Sequence, residues 1–424
     1  MELTPDTQAS PGPEALPLPE ARRLANAQDA LAAAHALAAR AAPGAVARDR
    51  DRLLPWAELE VFSASGLGAI SVPAEHGGAG VGASTLADVI AVLARADGSL
   101  GQIPQNHFYA LEVLRVGGTP GQQALIHEQV LRGARLGNAL AEVGHKDFQR
   151  RTRLHRADGS APRGDPARND ERLYVSGRKF YCTGALYAHW IPTLVVSPDD
   201  PRRSWLAFIP AGSPGVTITD DWDGFGQRVT GSGSVSFDQV LVRPEWIVPF
   251  SDSFVRATTI GPVAQIMHAA IDLGIGWSAW DDMLQGIRER ARPWIDAGVH
   301  EARQDPLTIQ QVGEVSIRLR AAQALLRRAG RITETAQAAP SEATVAAASV
   351  AVAEARVLTT TASLLASNAL FELSGTSSTL DELGLDRHWR NARTHTLHDP
   401  VRWKYHAVGN YYLNDTFPPR HGAL

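Results

Sequence analysis

Near the end of the chain, Arg390-Asn-Ala-Arg393-Thr-His395-Thr-Leu-His398-Asp399-Pro400 gathers two imidazoles, two guanidiniums and a carboxylate. Histidines three residues apart share one face of a helix or helical turn, and Pro400 marks a break just beyond them. Such groups can bind an anion, give and take protons near neutral pH, or hold a metal. No metal is expected, because no third histidine or clear carboxylate follows at ligand spacing. Asp399 is expected to orient an imidazole instead. The simpler alternative is a pair of satisfied histidines closing a helix end. Upstream lies the loop Ser374-Gly-Thr-Ser-Ser-Thr379. Basic groups beside a Gly/Ser/Thr loop suit a phosphorylated or otherwise anionic cofactor.

Three regions of different composition must position these groups. Residues 1–19 are rich in proline and acidic residues and read as a disordered tail without the basic start of a signal peptide. Residues 20–135 are Ala- and Leu-rich at helical spacing, with Leu24, Ala27, Leu31, Ala34 and Ala38 recurring at steps of three and four. Thr119-Pro120 reads as a helix start. Residues 136–250 change to short β-like runs such as 173–177, 194–196, 205–209, 216–219 and 235–238, separated by Gly/Pro turns. They predict a small antiparallel β domain, with the charged stretch 150–172 as a mobile surface loop. Residues 251–424 return to helical spacing, and 345–371 reads as a buried bundle helix interrupted by Glu354 and Arg356 rather than a membrane span. The fold expected is mainly α with a central β domain.

A net charge of -4 gives no bulk electrostatic case for nucleic acid or an anionic membrane. The single cysteine, Cys182, excludes an internal disulfide and a cysteine-based zinc site and fits a cytoplasmic setting. Gly231-Ser-Gly-Ser opens no helix and is not a dinucleotide fingerprint.

The order helices, β domain, helices resembles the acyl-CoA dehydrogenase superfamily over nearly the whole chain after the tail. The β-domain exit from Gly226 to Pro244, Gly375 and the Arg390/Arg393 pair carry the resemblance. Two departures stand out. The segment Thr396-Leu-His398-Asp399-Pro400 has no glutamate where classical dehydrogenases place a base, and the first signature reads Gly137-Asn138-Ala-Leu-Ala-Glu142-Val-Gly144. These departures, with Arg288-Glu-Arg290-Ala-Arg292-Pro293-Trp294, are similar to the flavin-dependent monooxygenase branch, the dibenzothiophene monooxygenases and sulfur-acquisition oxidoreductases.

The resemblance implies an acyl-CoA dehydrogenase-like fold ending in a C-terminal four-helix bundle. It implies reduced FMN delivered by a separate NAD(P)H:flavin reductase, with O2 and a small, organosulfur substrate as partners. It implies catalytic roles for His107, Asn138, Thr183, His395 and His398. It places Asn138, Ala139, Leu140, Ala141, Glu142 and Val143, the segment Lys179, Phe180, Tyr181, Cys182 and Thr183, and His398 at the flavin. Thr183 is expected to donate a hydrogen bond to the ring, and Cys182 to be a packed small residue rather than a nucleophile. Arg292, with Arg290 as the alternative, is expected to hold the phosphate across a subunit boundary, helped by Thr376 and Ser377. Asn138 alone reads equally as a strand-end residue, Arg292 as a solvated helix face, and His107 as a bonded core histidine. Trp190, Trp222, Phe225 and Trp277 are candidate pocket residues. A homotetramer, or at least a dimer, follows from the shared arginine. The competing expectations are an FAD-dependent acyl-CoA dehydrogenase, in which Glu142 or Asp399 serves as base, and a non-catalytic homologue.

Overall fold

A computed structural model describes residues 16–143, 149–167 and 171–424. The expectation for the first fifteen residues of the tail lies outside them. Seven helices come first: α1 (Ala27–Ala41), α2 (Ala45–Asp51), α3 (Trp56–Ala64), α4 (Ala83–Ala96), α5 (Gly98–Gln102), α6 (Gln105–Gly117) and α7 (Pro120–Leu131). The strands are β1 (Arg153–Arg156), β2 (Leu173–Lys179), β3 (Trp190–Val196), β4 (Ser204–Pro210), β5 (Val216–Thr219), β6 (Ser234–Val242) and β7 (Ile247–Pro249). The chain closes with α8 (Ile260–Glu289), α9 (Pro306–Ala338), α10 (Glu342–Ser374), α11 (Asp386–His395) and α12 (Arg402–Asn414).

Local signals explain the helix starts. Thr119 and Gln122 form a reciprocal capping box on α7, with Pro120 at its first position. Asp305 caps α9 ahead of Pro306, and Ser341 and Thr344 close a second box on α10. In α1 the spacing holds but the face is rotated. The helix buries Ala30, Ala34, Leu37 and Ala41, so of the predicted set only Ala34 and the preceding Leu24 point inward fully. An alanine-rich helix offers several stripes of similar hydrophobicity, and the packing partner selects among them.

The sheet runs β5-β6-β2-β1-β3-β4-β7. All pairs are antiparallel except β1 with β3, which corrects the expectation of a purely antiparallel sheet. The stretch 150–172 is likewise not only a loop, since β1 lies within it and pairs with β2. Its strand was hidden by composition, because Leu154 is its one apolar side chain and neighbouring strands supply the rest of the burial. Residues 136–141 form no strand of their own. They are stitched to β3 through Leu136–Trp190 and Ala139–Thr193, and beyond the end of β2 through Ala141–Phe180.

The C-terminal bundle packs α8, α9 and α10 against one another, with α12 on α10 and α4 of the N-terminal region on α8 and α9. Every residue of α8 from Ile260 to Gly276 is buried. Any polar group in that stretch must find its partner inside the protein.

Candidate active site

His268 and Asp272 are two such groups, and four residues apart on α8 they share a face. Arg356 and Thr360 make the matching pair on α10. Asp272 and Arg356 are both fully buried and form an ion pair, with Thr360 donating its hydroxyl to the same carboxylate oxygen at 2.9 Å. The other Asp272 oxygen accepts from His395 Nδ1 at 2.5 Å. Burial pushes the Asp272 carboxyl up, while its three donors, the Arg356 guanidinium, the Thr360 hydroxyl and His395 Nδ1, favour the carboxylate.

This bond fixes the tautomers in sequence. A carboxylate can only accept, so His395 carries its proton on Nδ1 and offers a lone pair on Nε2. His268 Nδ1, at 3.1 Å, is then the donor to that lone pair. His398 donates from Nδ1 to the His395 carbonyl at 2.9 Å, and its Nε2 accepts from the Gln102 amide of α5 at 3.0 Å. Burial first, then the neighbouring His398 imidazole and Arg356, hold His268 and His395 well below the usual histidine range. The cluster is therefore neutral at pH 7, with His398 at its exposed edge.

The orienting carboxylate expected at Asp399 is Asp272 instead. Asp399 lies 3.5 Å from the Lys404 ammonium. The third histidine that local spacing lacked is His268, 127 residues away. His268, Asp272, Arg356 and Gln102 were all missed. The legible signal was a histidine and an aspartate four residues apart in the mainly apolar first half of α8.

Thr183 is buried and joined to a hydroxyl chain. Thr230 donates to the Gln227 carbonyl at 2.9 Å, so Ser232, 2.6 Å away, must donate to Thr230, and Thr183 to Ser232 at 2.8 Å. Its proton is thereby spent, and Thr183 presents a ligand with acceptor lone pairs rather than the expected donor. Neighbouring Tyr181 is exposed at a left-handed φ of 54°. Cys182 is fully buried, and burial pushes its thiol up to about 12, so it is an inert packing residue.

Glu142 and Lys179 tie the 136–143 segment to the end of β2. Burial opposes the Glu142 charge, but the Lys179 ammonium at 2.7 Å and the Thr152 and Arg151 N–H groups hold its carboxyl down to about 2. Lys179 also reaches the Leu140 carbonyl at 3.4 Å. A carboxylate so stabilised is a poor base. Asp399, the other carboxylate considered for a dehydrogenase, is ion-paired with Lys404 at 3.5 Å. Asn138 accepts from Leu140 N through Oδ1 at 3.0 Å, which turns its amide NH2 outward from that contact. Of the rest of the segment, Ala139 is buried and Ala141 exposed, with Leu140 and Val143 between. Phe180 N donates to the Ala141 carbonyl at 3.0 Å.

His107 accepts from Leu136 N through Nδ1 at 3.0 Å and donates through Nε2 to the Gly68 carbonyl at 2.7 Å. Both nitrogens are occupied by backbone, which leaves none for a substrate. The aromatic candidates divide. Trp222 is edge-on to Tyr181 and Phe225 is stacked on Trp389. Trp190 packs on Trp246, and Trp277 sits between Arg95 and Arg320.

At the far end of α8, Arg292 is exposed, as are Thr376 and Ser377. Arg290 Nε and Ser374 Oγ are buried without partners. Gly286 lets them approach, since a Cβ there would lie 2.4 Å from Ser374 Oγ and 3.2 Å from an Arg290 Nη. Orphaned donors in a glycine-floored recess beside a hydroxyl loop fit a phosphate. By helix rise this recess is roughly 30 Å from His268, too far for one mononucleotide flavin to reach both ends of one chain.

Residues 26–134 match the acyl-CoA dehydrogenase N-terminal domain and residues 266–403 the acyl-CoA dehydrogenase C-terminal domain. The dibenzothiophene monooxygenase of Rhodococcus erythropolis is 34% identical over 388 residues, covering 88% of this chain and 90% of the relative. The probable FMNH2-dependent monooxygenase SfnC of Pseudomonas putida is 31% identical, covering 89% of this chain and 93% of SfnC. The structure of TdsC from Paenibacillus sp. A11-2 with FMN and indole superposes with a TM-score of 0.86 at 30% identity, over 93% of this chain and 99% of TdsC. The chain belongs to the acyl-CoA dehydrogenase family, and relatives it resembles over most of its length are named as monooxygenases.

Proposed function

We propose that the chain is the oxygenase of a two-component flavin monooxygenase. It takes reduced FMN from a separate NAD(P)H:flavin reductase and uses O2 to oxygenate a small organosulfur molecule. The names of its relatives, a dibenzothiophene monooxygenase and an FMNH2-dependent monooxygenase, support the reaction class, and the TdsC complex supports FMN rather than FAD. The single observation that carries the reading is the Asp272–His395–His268 chain with His398 beside it.

Bound reduced FMN supplies the electrons and the carbon at which oxygen is activated. The chain's own groups do the rest. Asp272 fixes His395 with its Nε2 lone pair turned into the cluster, and Gln102 and the His395 carbonyl hold the His398 ring. A neutral imidazole can take a proton at Nε2 transiently, and burial, which disfavours the charged ring, favours its return. The Asn138 amide can donate to an oxygen, and the acceptor on Thr183 suits the N–H that a reduced flavin carries and an oxidised one lacks. The buried floor of α8 excludes water, which would otherwise release hydrogen peroxide.

The Arg290–Ser374 recess, with Arg292, Thr376 and Ser377 at its rim, serves the phosphate bound to a neighbouring copy. Exposed apolar side chains support such an assembly, with Trp294 and Ile295 next to the recess and Trp403, Tyr405, Tyr412 and Leu413 on α12. A homotetramer provides two-fold relations that complete every site.

The test is anaerobic titration with reduced FMN followed by a stopped-flow oxygen pulse without substrate. A transient absorbance distinct from both reduced and oxidised FMN, shortened by His398→Ala or Asn138→Ala, is expected. A chain that binds no reduced FMN would defeat the proposal. Desaturation of an acyl thioester with an artificial electron acceptor would return the dehydrogenase reading.

A further inference from the structure

We propose that His268, His395 and His398 form a binding site for a divalent cation of the zinc class, and that the cation competes with the histidines' service at the flavin. One ring nitrogen from each histidine lies within 4.8 Å of the other two. The nearest pair, His268 Nδ1 and His395 Nε2, is 3.1 Å apart, a separation that two nitrogens each about 2.0–2.1 Å from one zinc ion can adopt.

The cluster is built like a ligand set beyond its spacing. Ligating histidines donate their second nitrogen to a carboxylate or a carbonyl, which aims the lone pair at the ion. His395 Nδ1 does so to Asp272 and His398 Nδ1 to the His395 carbonyl. Both Nε2 lone pairs are thereby set, and His268 supplies the third ligand by moving its proton from Nδ1 to Nε2, the neutral tautomer that leaves Nδ1 free for a metal. The surrounding charges cancel in pairs, Asp272 with Arg356 and Asp399 with Lys404, so no unbalanced cation repels the ion. Gln102 stands against His398 Nε2 with its Oε1 buried and unpartnered. A turn of that amide would present an oxygen to the metal in place of an N–H. The exposed edge at His398 gives the ion a way in.

Occupation takes the His395 and His398 Nε2 lone pairs from His268 and Gln102, and so removes the imidazoles' capacity to hold a proton for the flavin reaction. That competition rests on the proposed function, whereas the metal site does not. Chelator-washed chain, titrated with zinc against a chromophoric chelator, is expected to bind one ion per chain, with an affinity about tenfold weaker in His268→Gln. Copper(II), which such sites bind more tightly than zinc, is expected to show an electron paramagnetic resonance spectrum with coupling to three imidazole nitrogens. The wild-type spectrum decides the ligand count even if the variant folds poorly. Zinc is expected to weaken reduced FMN binding, with recovery on adding chelator. No uptake at millimolar zinc, or uptake and nitrogen coupling unchanged in a folded His268→Gln chain, overturns the site. If only the flavin reading is wrong, zinc uptake and the copper spectrum persist and the competition with FMN vanishes.

Discussion

The Asp272 carboxylate accepts the His395 Nδ1 proton at 2.5 Å, with neither side chain exposed. The bond joins the middle of α8 to the end of α11, and the second Asp272 oxygen carries the link on to Arg356 of α10. One carboxylate thus couples the packing of three helices to the tautomer of the His395 imidazole.

Removing that carboxylate has two separable effects. Asp272→Ala leaves Arg356 buried without a counter-charge, and is expected to cost about 3–5 kcal/mol of stability, read from a urea midpoint. Asp272→Asn keeps the shape but can donate as well as accept, so His395 loses its fixed tautomer. Oxygenation turnover is expected to fall far more than affinity for reduced FMN. Equal losses in both would reduce Asp272 to a packing residue.

Thr183 is expected to discriminate flavin redox states. Its hydroxyl proton is spent on Ser232, so the remaining lone pair rewards a ligand N–H. Thr183→Val should weaken reduced FMN by about 1 kcal/mol, roughly fivefold, and oxidised FMN much less. Parallel anaerobic and aerobic titrations check it, and equal weakening of the two forms would show that the chain of hydroxyls runs the other way.

The sequence announced the architecture more fully than the site. Hydrophobic period and capping residues are local, so the start of α7 at Thr119-Pro120 and the strand at 205–209 could be read directly. The rotation of α1 and the existence of β1 depend on neighbours distant in sequence, and composition alone misjudged both. The same contrast holds at the site. His395 and His398 were visible because they stand three residues apart, whereas Asp272 and His268 reach them across more than 120 residues. Thr183 was singled out from the sequence as a hydroxyl donor, but the direction of its bond depends on Ser232 and Thr230, which only the fold brings beside it.

The proposed sharing of sites between copies predicts that inactive variants complement one another. The histidines and the Arg290–Ser374 recess lie at opposite ends of α8, separated by roughly 30 Å. Arg290→Gln should weaken FMN binding strongly, and Ser374→Ala less, because a guanidinium contributes charge as well as hydrogen bonds. Mixed assemblies refolded from His398→Ala and Arg290→Gln chains should regain a substantial fraction of wild-type activity, since some sites then receive both intact halves. Mixtures that stay as inactive as their parents would place both functions in one chain, and light scattering that gives a monomer would dispose of the shared site altogether.

His107 predicts a loss of stability on the acid side of neutrality. Burial holds its imidazole down to about 4, although the Gly68 carbonyl favours the proton. The unfolded chain therefore binds a proton below the usual histidine pKa of about 6.5 that the folded chain refuses. The contribution is intact above about 6.5 and is lost progressively as pH falls towards about 4, by then on the order of 3 kcal/mol. His388, also held down to about 4 by burial first, titrates through the same window despite its bond to Asp282. Urea denaturation at several pH values should show stability falling steeply across this range. In His107→Asn the neutral-pH stability is lower, because the bonds to Leu136 and Gly68 are weakened, but the slope with pH must be shallower. A slope unchanged from wild type would mean that His107 is protonated in the folded chain, with its ring bonds arranged differently from the pair described.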